Sequence, residues 1–352
     1  MKGRLNLKVV KKNLKIRIYP SKADKNDKGD KIVSVEGIDS NIAHARFVWN
    51  KLLEFVNYFT NLLVQNGYEK HLKIYENEFN TLLNWLKDEN AFLQKSESSS
   101  LQQSYKDLVN AFKRFFRNDL KSRYPRFKSR KNPKNSFRIM NNNNNIRIQK
   151  DNNGYTKLRL AKHGLVKFKT SKEYRKILSR GSNPNDPTVK IKNVTIKKEY
   201  DKYYAIVNVE CIHIPVEKND KPEKVGIDIG CTKLAVLSNK KEITNLDLNR
   251  ELDKIIHYQK IMSYTRKGSR RYREAHRLYR KWMTRLVNKR NDYYDKMTSN
   301  IVENSTFVAV QNENIIAWKS NKYLSGNLQI NAPRIFMDKI EYKCDWNDTT
   351  FI

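Results

Sequence analysis

VGIDIG, residues 225–230, decides how this chain is read. Val225, Ile227 and Ile229 form a short apolar strand with one carboxylate, Asp228, in its middle. A carboxylate buried in an apolar strand costs several kcal/mol unless it is paired or binds a cation. Lys233 is a possible partner, and a divalent metal is the other. A second strand follows at Leu234–Ser238, and Lys240–Asn245 closes a hairpin. The spacing then predicts a long helical region over 249–302, an apolar strand at Phe307–Val310 and a helix over Ile335–Trp346.

Upstream of this opening strand lies a polar linker, EKNDKPEK (217–224). Before it, residues 137–214 alternate apolar and polar positions with polar turns, which predicts strands; the Asn141–Asn145 run reads as a tight turn between two of them. Residues 41–121 instead show helical stripes: Phe47, Leu52, Val56, Phe59 and Leu63; then Leu82, Leu83 and Leu86; then Leu101, Tyr105, Leu108, Phe112 and Phe115. The serines at 98–100 are expected to cap the third stripe, and Pro125 to end it. Leu5, Leu7 and Val9, then Leu14, Ile16 and Ile18, predict an opening strand. The N-terminal part therefore reads as a β-module interrupted by helices.

Composition narrows the partner. The chain has 352 residues, 71 Lys and Arg against 37 Asp and Glu, and a net charge of +34. Such an excess opposes compaction and calls for an anionic partner, nucleic acid above all. Hydrophobic residues make up 38%, enough for packed cores. No apolar run of about 20 residues is present and the N-terminus lacks an apolar signal core, so no membrane partner is expected. Cys211, Cys231 and Cys344 are far apart, which leaves no disulfide framework and no zinc ribbon. The expected location is the cytoplasm, on the nucleoid. Basic residues concentrate in two stretches. Residues 105–135 hold eleven, interleaved with Phe112, Phe115, Phe116, Tyr124 and Phe127. Residues 265–290 also hold eleven, with Leu278, Trp282 and Leu286 on one helical face. Each could be a solvated helix face; the net charge favours contact with phosphates and bases. The candidate backbone contacts are Lys113, Arg114, Arg126, Lys128 and Arg130 in the first stretch, and Arg270, Arg273, Arg277, Arg280, Lys281 and Arg285 in the second.

These pieces in this order resemble the transposon-encoded TnpB family of RNA-guided nucleases. The resemblance is carried by Tyr19-Pro20, RFVWNKLL (46–53), LQQSYKDLVNAFKRFF (101–116), YPRFKSRK (124–131), VGIDIG, LAVLS (234–238), RLVNKRNDYYDK (285–296) and IEYKCDW (340–346). It implies an α+β, multidomain fold. A wedge-type β-barrel (1–38 and 133–218) would carry an inserted helical recognition lobe (39–132). A RuvC-like domain of ribonuclease-H-like α/β fold (222–352), without zinc ribbon or last catalytic segment, would follow. It also implies a guide RNA and double-stranded target DNA with a short flanking motif as partners, with Tyr75, Ser98, Gln102 and Asn143 at the positions that read the motif. Ser98 stands where a longer basic residue is often found.

Active relatives carry a catalytic Glu where this chain has Gln311. Glu313 lies on the same strand face, about 6.6 Å along. The segment like IEYKCDW continues in those relatives to a third Asp, and this sequence stops at Ile352. One carboxylate cannot hold two metals. The expectation is therefore a non-enzyme with no metal and no cofactor, its Asp228 and Gln311 vestigial, like the TnpB-like nuclease-dead repressors. It would bind guide-matched DNA and repress transcription by occlusion. The alternatives are a residual RNA-guided endonuclease using Asp228 and Glu313, or a guide-free basic nucleic-acid binder.

Overall fold

The computed structural model describes residues 8–25, 29–67, 76–117, 119–129, 135–199, 201–212, 223–230, 233–311 and 330–352. The chain divides into two compact units, Met1–Ile212 and His213–Ile352.

Unit one is built on a seven-stranded antiparallel sheet. Its strands are β1 (Val9–Tyr19), β2 (Ser136–Met140), β3 (Arg147–Lys150), β4 (Thr156–Leu160), β5 (Gly164–Lys169), β6 (Val189–Glu199) and β7 (Lys202–Ile212), in spatial order β2-β6-β7-β1-β5-β4-β3. Alternation does the work expected of it. Leu14, Ile16 and Ile18 of β1 and Ala205, Val207 and Val209 of β7 point into one core, while Lys15 and Arg17 point away. Between β1 and β2 the described residues form three α-helices, α1 (Val35–Gln65), α2 (Glu76–Glu89) and α3 (Ser98–Phe115), with a 3₁₀ turn at Ala91–Lys95. Their stripes meet in a second core around Leu52, Leu83, Leu101, Leu108 and Phe112. Ser34 caps α1 by accepting from the Gly37 amide at 3.0 Å.

Four expectations for this unit need correction. Among the described residues the sheet is an open ladder with β2 and β3 at its edges, not a closed barrel. The reason is α4 (Lys172–Ser182), a helix hidden in the region read as strands and capped by Ser171. Ser182 Oγ, at its end, accepts from the Ile148 amide of β3 at 2.8 Å, and the Ser182 carbonyl accepts from Asn144 at 3.2 Å. That takes up bonding which closure would give to a strand. The cap of α3 is Glu97, whose carboxylate accepts from the Ser100 amide at 2.8 Å, rather than one of the serines. Finally, α3 ends at Phe115, well before Pro125.

His163, in the turn between β4 and β5, packs against Phe137 with ring centroids 5.5 Å apart. Burial, with smaller contributions from Lys31 and Lys162, depresses its imidazole to about 4. The unfolded chain then binds the extra proton. The stability this group contributes is fully present above pH 6.5 and is lost as the pH falls towards 4. We expect unit one to lose about 2 kcal/mol between pH 7 and pH 5 through this residue. Urea midpoints of wild type and His163→Gln across that range check it; parallel curves would show that His163 is not the cause.

Unit two is built on a five-stranded mixed sheet of β8 (Glu223–Ile229), β9 (Lys233–Leu237), β10 (Glu242–Thr244), β11 (Ser305–Val310) and β12 (Thr350–Phe351), in spatial order β10-β9-β8-β11-β12. β8 pairs antiparallel with β9 and parallel with β11. The expected single helical region is two helices, α5 (Asn249–Tyr264) and α6 (Arg270–Glu303), separated by a turn in which Gly268 takes φ +90°. The inner face of α6 and α7 (Pro333–Trp346) cover the sheet with Tyr294, Ile301, Val302, Phe336 and Ile340.

Candidate nucleic-acid interface

In unit one, residues 121–129 run as an extended strap held to the helices by side chains of α1. The Trp49 indole donates to the Arg126 carbonyl at 3.0 Å. Asn50 donates to the Lys128 carbonyl at 3.1 Å and accepts from the Lys128 amide at 2.8 Å. Tyr124 donates to Asn57 at 2.7 Å and packs edge-on against Phe112 and Phe115. With its backbone bound to the helices, the strap turns Arg123, Arg126 and Phe127 to solvent. Lys128 instead lies over the Trp49 ring at 3.6 Å, a cation–π contact. Lys113 and Arg114 are in the last turn of α3 and exposed. Arg130 lies outside the described residues. The strap's own composition says nothing of Trp49 and Asn50. Their adjacent places in RFVWNKLL, the first with a buried ring and a polar tip, are the sequence trace of this contact.

Of the four residues expected to read a flanking motif, two share the first turn of α3, and the strand leading to a third is bonded to that turn. Ser98 and Gln102 are one turn apart at the start of α3, exposed and half-buried respectively. The Met140 amide donates to Ser99 Oγ at 3.1 Å, which seats the end of β2 on that same turn. The chain then makes a 3₁₀ turn at Asn142–Asn144, where Asn143 is exposed in a left-handed conformation, φ +55°. Asparagine tolerates that geometry better than most residues. Lys87 donates to Ser98 Oγ at 3.2 Å, so a cation stands at the serine after all, supplied by α2. Tyr75 lies outside the described residues.

In unit two, Arg270, Arg273, Arg277, Arg280, Lys281 and Arg285 of α6 are all exposed or half-buried at the helix surface. Leu286 is buried against Leu248 and Ile255, with Trp282 packed beside it. One face of the helix therefore holds it to α5 while the others stay positive. Arg285 is also structural, because together with Lys289 it neutralises the buried Glu251 carboxylate, at 3.1 and 2.8 Å. Against the burial that would raise it, these two cations hold the Glu251 carboxyl below its ordinary value.

Asp228 does not carry the burial cost expected of it. It lies on β8 with its side chain exposed, and Lys233 pairs with Glu242 instead. Parallel pairing of Val310 with Ile227, and a 3.3 Å bond from the Gln311 amide to the Ile227 carbonyl, set Gln311 one step on from that pair and beside Asp228. The two sequence-selected positions thus meet across a strand boundary 83 residues apart in number. Glu313 lies outside the described residues, and among the described residues no three His, Cys, Asp or Glu come together as metal ligands. No described helix is long and apolar enough to cross a membrane.

Comparison with known proteins agrees with the resemblance read from the sequence. Residues 205–319 match the OrfB_IS605 family, described as probable transposase. InsQ of Escherichia coli (strain K12), named as a putative RNA-guided DNA endonuclease, is 27% identical over 271 residues, covering 76% of this chain and 60% of its own length. A protein of Streptomyces pristinaespiralis with the same designation is 25% identical over 340 residues, covering 96% of this chain and 75% of its own. The fold is similar to that in a Cas12f1-sgRNA-target DNA complex, with a TM-score of 0.51 at 12% identity, over 98% of this chain and 89% of that one. The expectation of a non-enzyme is overturned here. Both relatives are named as endonucleases, Asp228 is in place, and nothing described shows the catalytic groups lost.

Proposed function

We propose that this chain is an RNA-guided DNA-binding protein. Base pairing by a guide supplies the sequence specificity, and the protein holds backbone shape and a short flanking motif. The observation that carries this is the first part of α6: over residues 270–289, about 30 Å of helix, its lysines and arginines are exposed while its apolar edge is occupied by α5. That length runs beside roughly nine phosphates of one strand. The names of the two relatives support the same reading. On this reading, residues 39–132 are a helical lobe inserted in the β-unit of 1–38 and 133–218. Residues 222–352 are a ribonuclease-H-like unit, an assignment supported by the β10-β9-β8-β11-β12 order. Held at a promoter, the complex lowers transcription by occlusion.

The purified protein is expected to carry one dominant RNA species with a variable end that serves as guide. Sequencing the bound RNA tests this, and only heterogeneous fragments, or none, would falsify it. Ser98, Gln102 and Asn143 take the role of motif readers. Gln102→Ala then weakens binding to DNA with the correct motif by about 1–3 kcal/mol, the range for a bidentate base contact, and leaves other DNA unaffected. Equal losses on both DNAs would remove Gln102 from that role.

A second reading, that unit two also cuts the bound DNA, is favoured by Asp228. It is an exposed carboxylate on the sheet's central strand, and no cation among the described residues pairs with it. Asp228 suits one ligand of a divalent metal; the described residues supply no complete set, so no hydrolytic step is derived from them. Guide-dependent cuts in a matched plasmid with Mg²⁺, absent in Asp228→Ala, establish this reading; intact plasmid in both sinks it.

A further inference from the structure

The outward face of the seven-stranded sheet has a corner that neither basic stretch includes. Tyr19 of β1 pairs in register with Lys167 of β5. One step beyond the Leu158–Val166 pair, Lys157 of β4 continues the same row, and Gln149 of β3 completes it. In the next row Arg147 of β3 stands directly opposite Arg159 of β4. Like charges facing across a ladder are destabilising, so this corner stores repulsion that an anion would relieve. Behind Tyr19, Arg17 lies between two rings, 5.3 Å from Tyr19 and 5.1 Å from Tyr204.

The same corner holds a cavity of about 330 Å³, walled by Tyr19, Tyr155, Lys167 and the ion pair of Lys157 with Asp151 at 3.5 Å, over an apolar floor of Ile32 and Leu165. Tyr155 is 68% exposed and Tyr19 44% exposed, so both rings are open to a stacking partner. The loop that presents Tyr155 is pre-set. Asp151 accepts from the Asn153 and Tyr155 amides at 3.0 and 2.8 Å, and Gly154 makes the turn at φ +79°.

We propose that this corner binds one unpaired nucleotide of an RNA strand, its base against Tyr155 and Tyr19 and its phosphates on Lys167 and Arg159. The chemistry is that of sheet platforms that stack splayed bases on exposed aromatics beside a cationic track. The cavity's size suits a single base, and its aromatic walls suit a base that is not already stacked in a duplex. The proposal deepens the RNA-guided reading and rests on it for the choice of RNA.

The test uses the full chain stripped of bound RNA, with fluorescent rU12 and dT12 carrying 4-thio bases, at a salt concentration that suppresses backbone-only binding. Tyr155→Ala is expected to weaken rU12 about five- to a hundred-fold, the range for losing one base–aromatic stack. Crosslinks from rU12 are expected on the peptide holding Tyr155. Arg159→Glu is expected to weaken rU12 and flatten its salt dependence, yet to raise the melting temperature by removing the opposition to Arg147. A merely structural role would lower melting temperature and binding together. Unchanged rU12 binding in both variants overturns the site, and equal loss of rU12 and dT12 overturns the assignment to RNA. Failure of the guide reading is separate: it shows as a preparation with no defined RNA, whatever rU12 does.

Discussion

Replacing Arg273, Arg277 and Arg280 together by glutamate lowers nucleic-acid affinity about a thousandfold at moderate salt. The three stand at i, i+4 and i+7 of α6, so they share one face. Each phosphate contact releases about one counterion, so losing three reduces the slope of log affinity against log salt by about two to three. Reversing the charge, rather than removing it, adds repulsion of the same order. The fold is not at stake. Arg277 pairs with Glu274 at 3.9 Å, but both side chains are more than 60% exposed, so the pair contributes little. Filter binding across a salt series reads both quantities. An unchanged slope with unchanged melting temperature would mean that α6 faces solvent in the complex, and the reading of unit two as a nucleic-acid surface would fall.

Phe336→Ala costs unit two about 3–5 kcal/mol, the usual range for removing a buried phenylalanine. Phe336 is fully buried on α7 and meets the Tyr294 ring of α6 edge-on at 5.4 Å. Burial raises the Tyr294 hydroxyl to about 12, with Arg290 opposing, so it stays protonated and donates to the Asn331 carbonyl. Emptying this contact leaves a cavity where α6, α7 and the sheet meet. Denaturation followed by hydrogen exchange is expected to show β8, β11 and α6 opening early while β1, β6 and β7 keep their protection. Loss of protection in both units at once would mean they unfold as one body. Because α6 carries the arginines, RNA affinity is expected to fall in this variant as well, and to recover at lower temperature.

What the sequence alone determined was everything that rests on local period. Leu14, Ile16 and Ile18 alternate because each strand must turn one face inward. Leu101, Leu108 and Phe112 recur because a helix buries a stripe. The turn at Asn142–Asn144 and the basic faces of α6 come from the same short-range rules, as does the net charge that calls for an anionic partner. Tertiary structure alone decided what lies across long separations. The 121–129 strap has no period of its own, and its shape comes from Trp49 and Asn50, more than 70 residues away in number. Asp228 reads as a buried charge from its apolar neighbours, yet only the β8 face of Val225, Ile227 and Ile229 is covered by the core, and the face of Asp228 stays open. Gln311 reaches it only because β8 and β11, 75 or more residues apart in number, pair in parallel. The barrel that the family resemblance implied stays open among the described residues, where Ser182 takes the Ile148 amide. Arg147 and Arg159 lie on separate strands and belong to neither basic stretch; strand register sets them face to face. Each of these outcomes depends on which surfaces meet, and a period of two or of 3.6 carries no information about that.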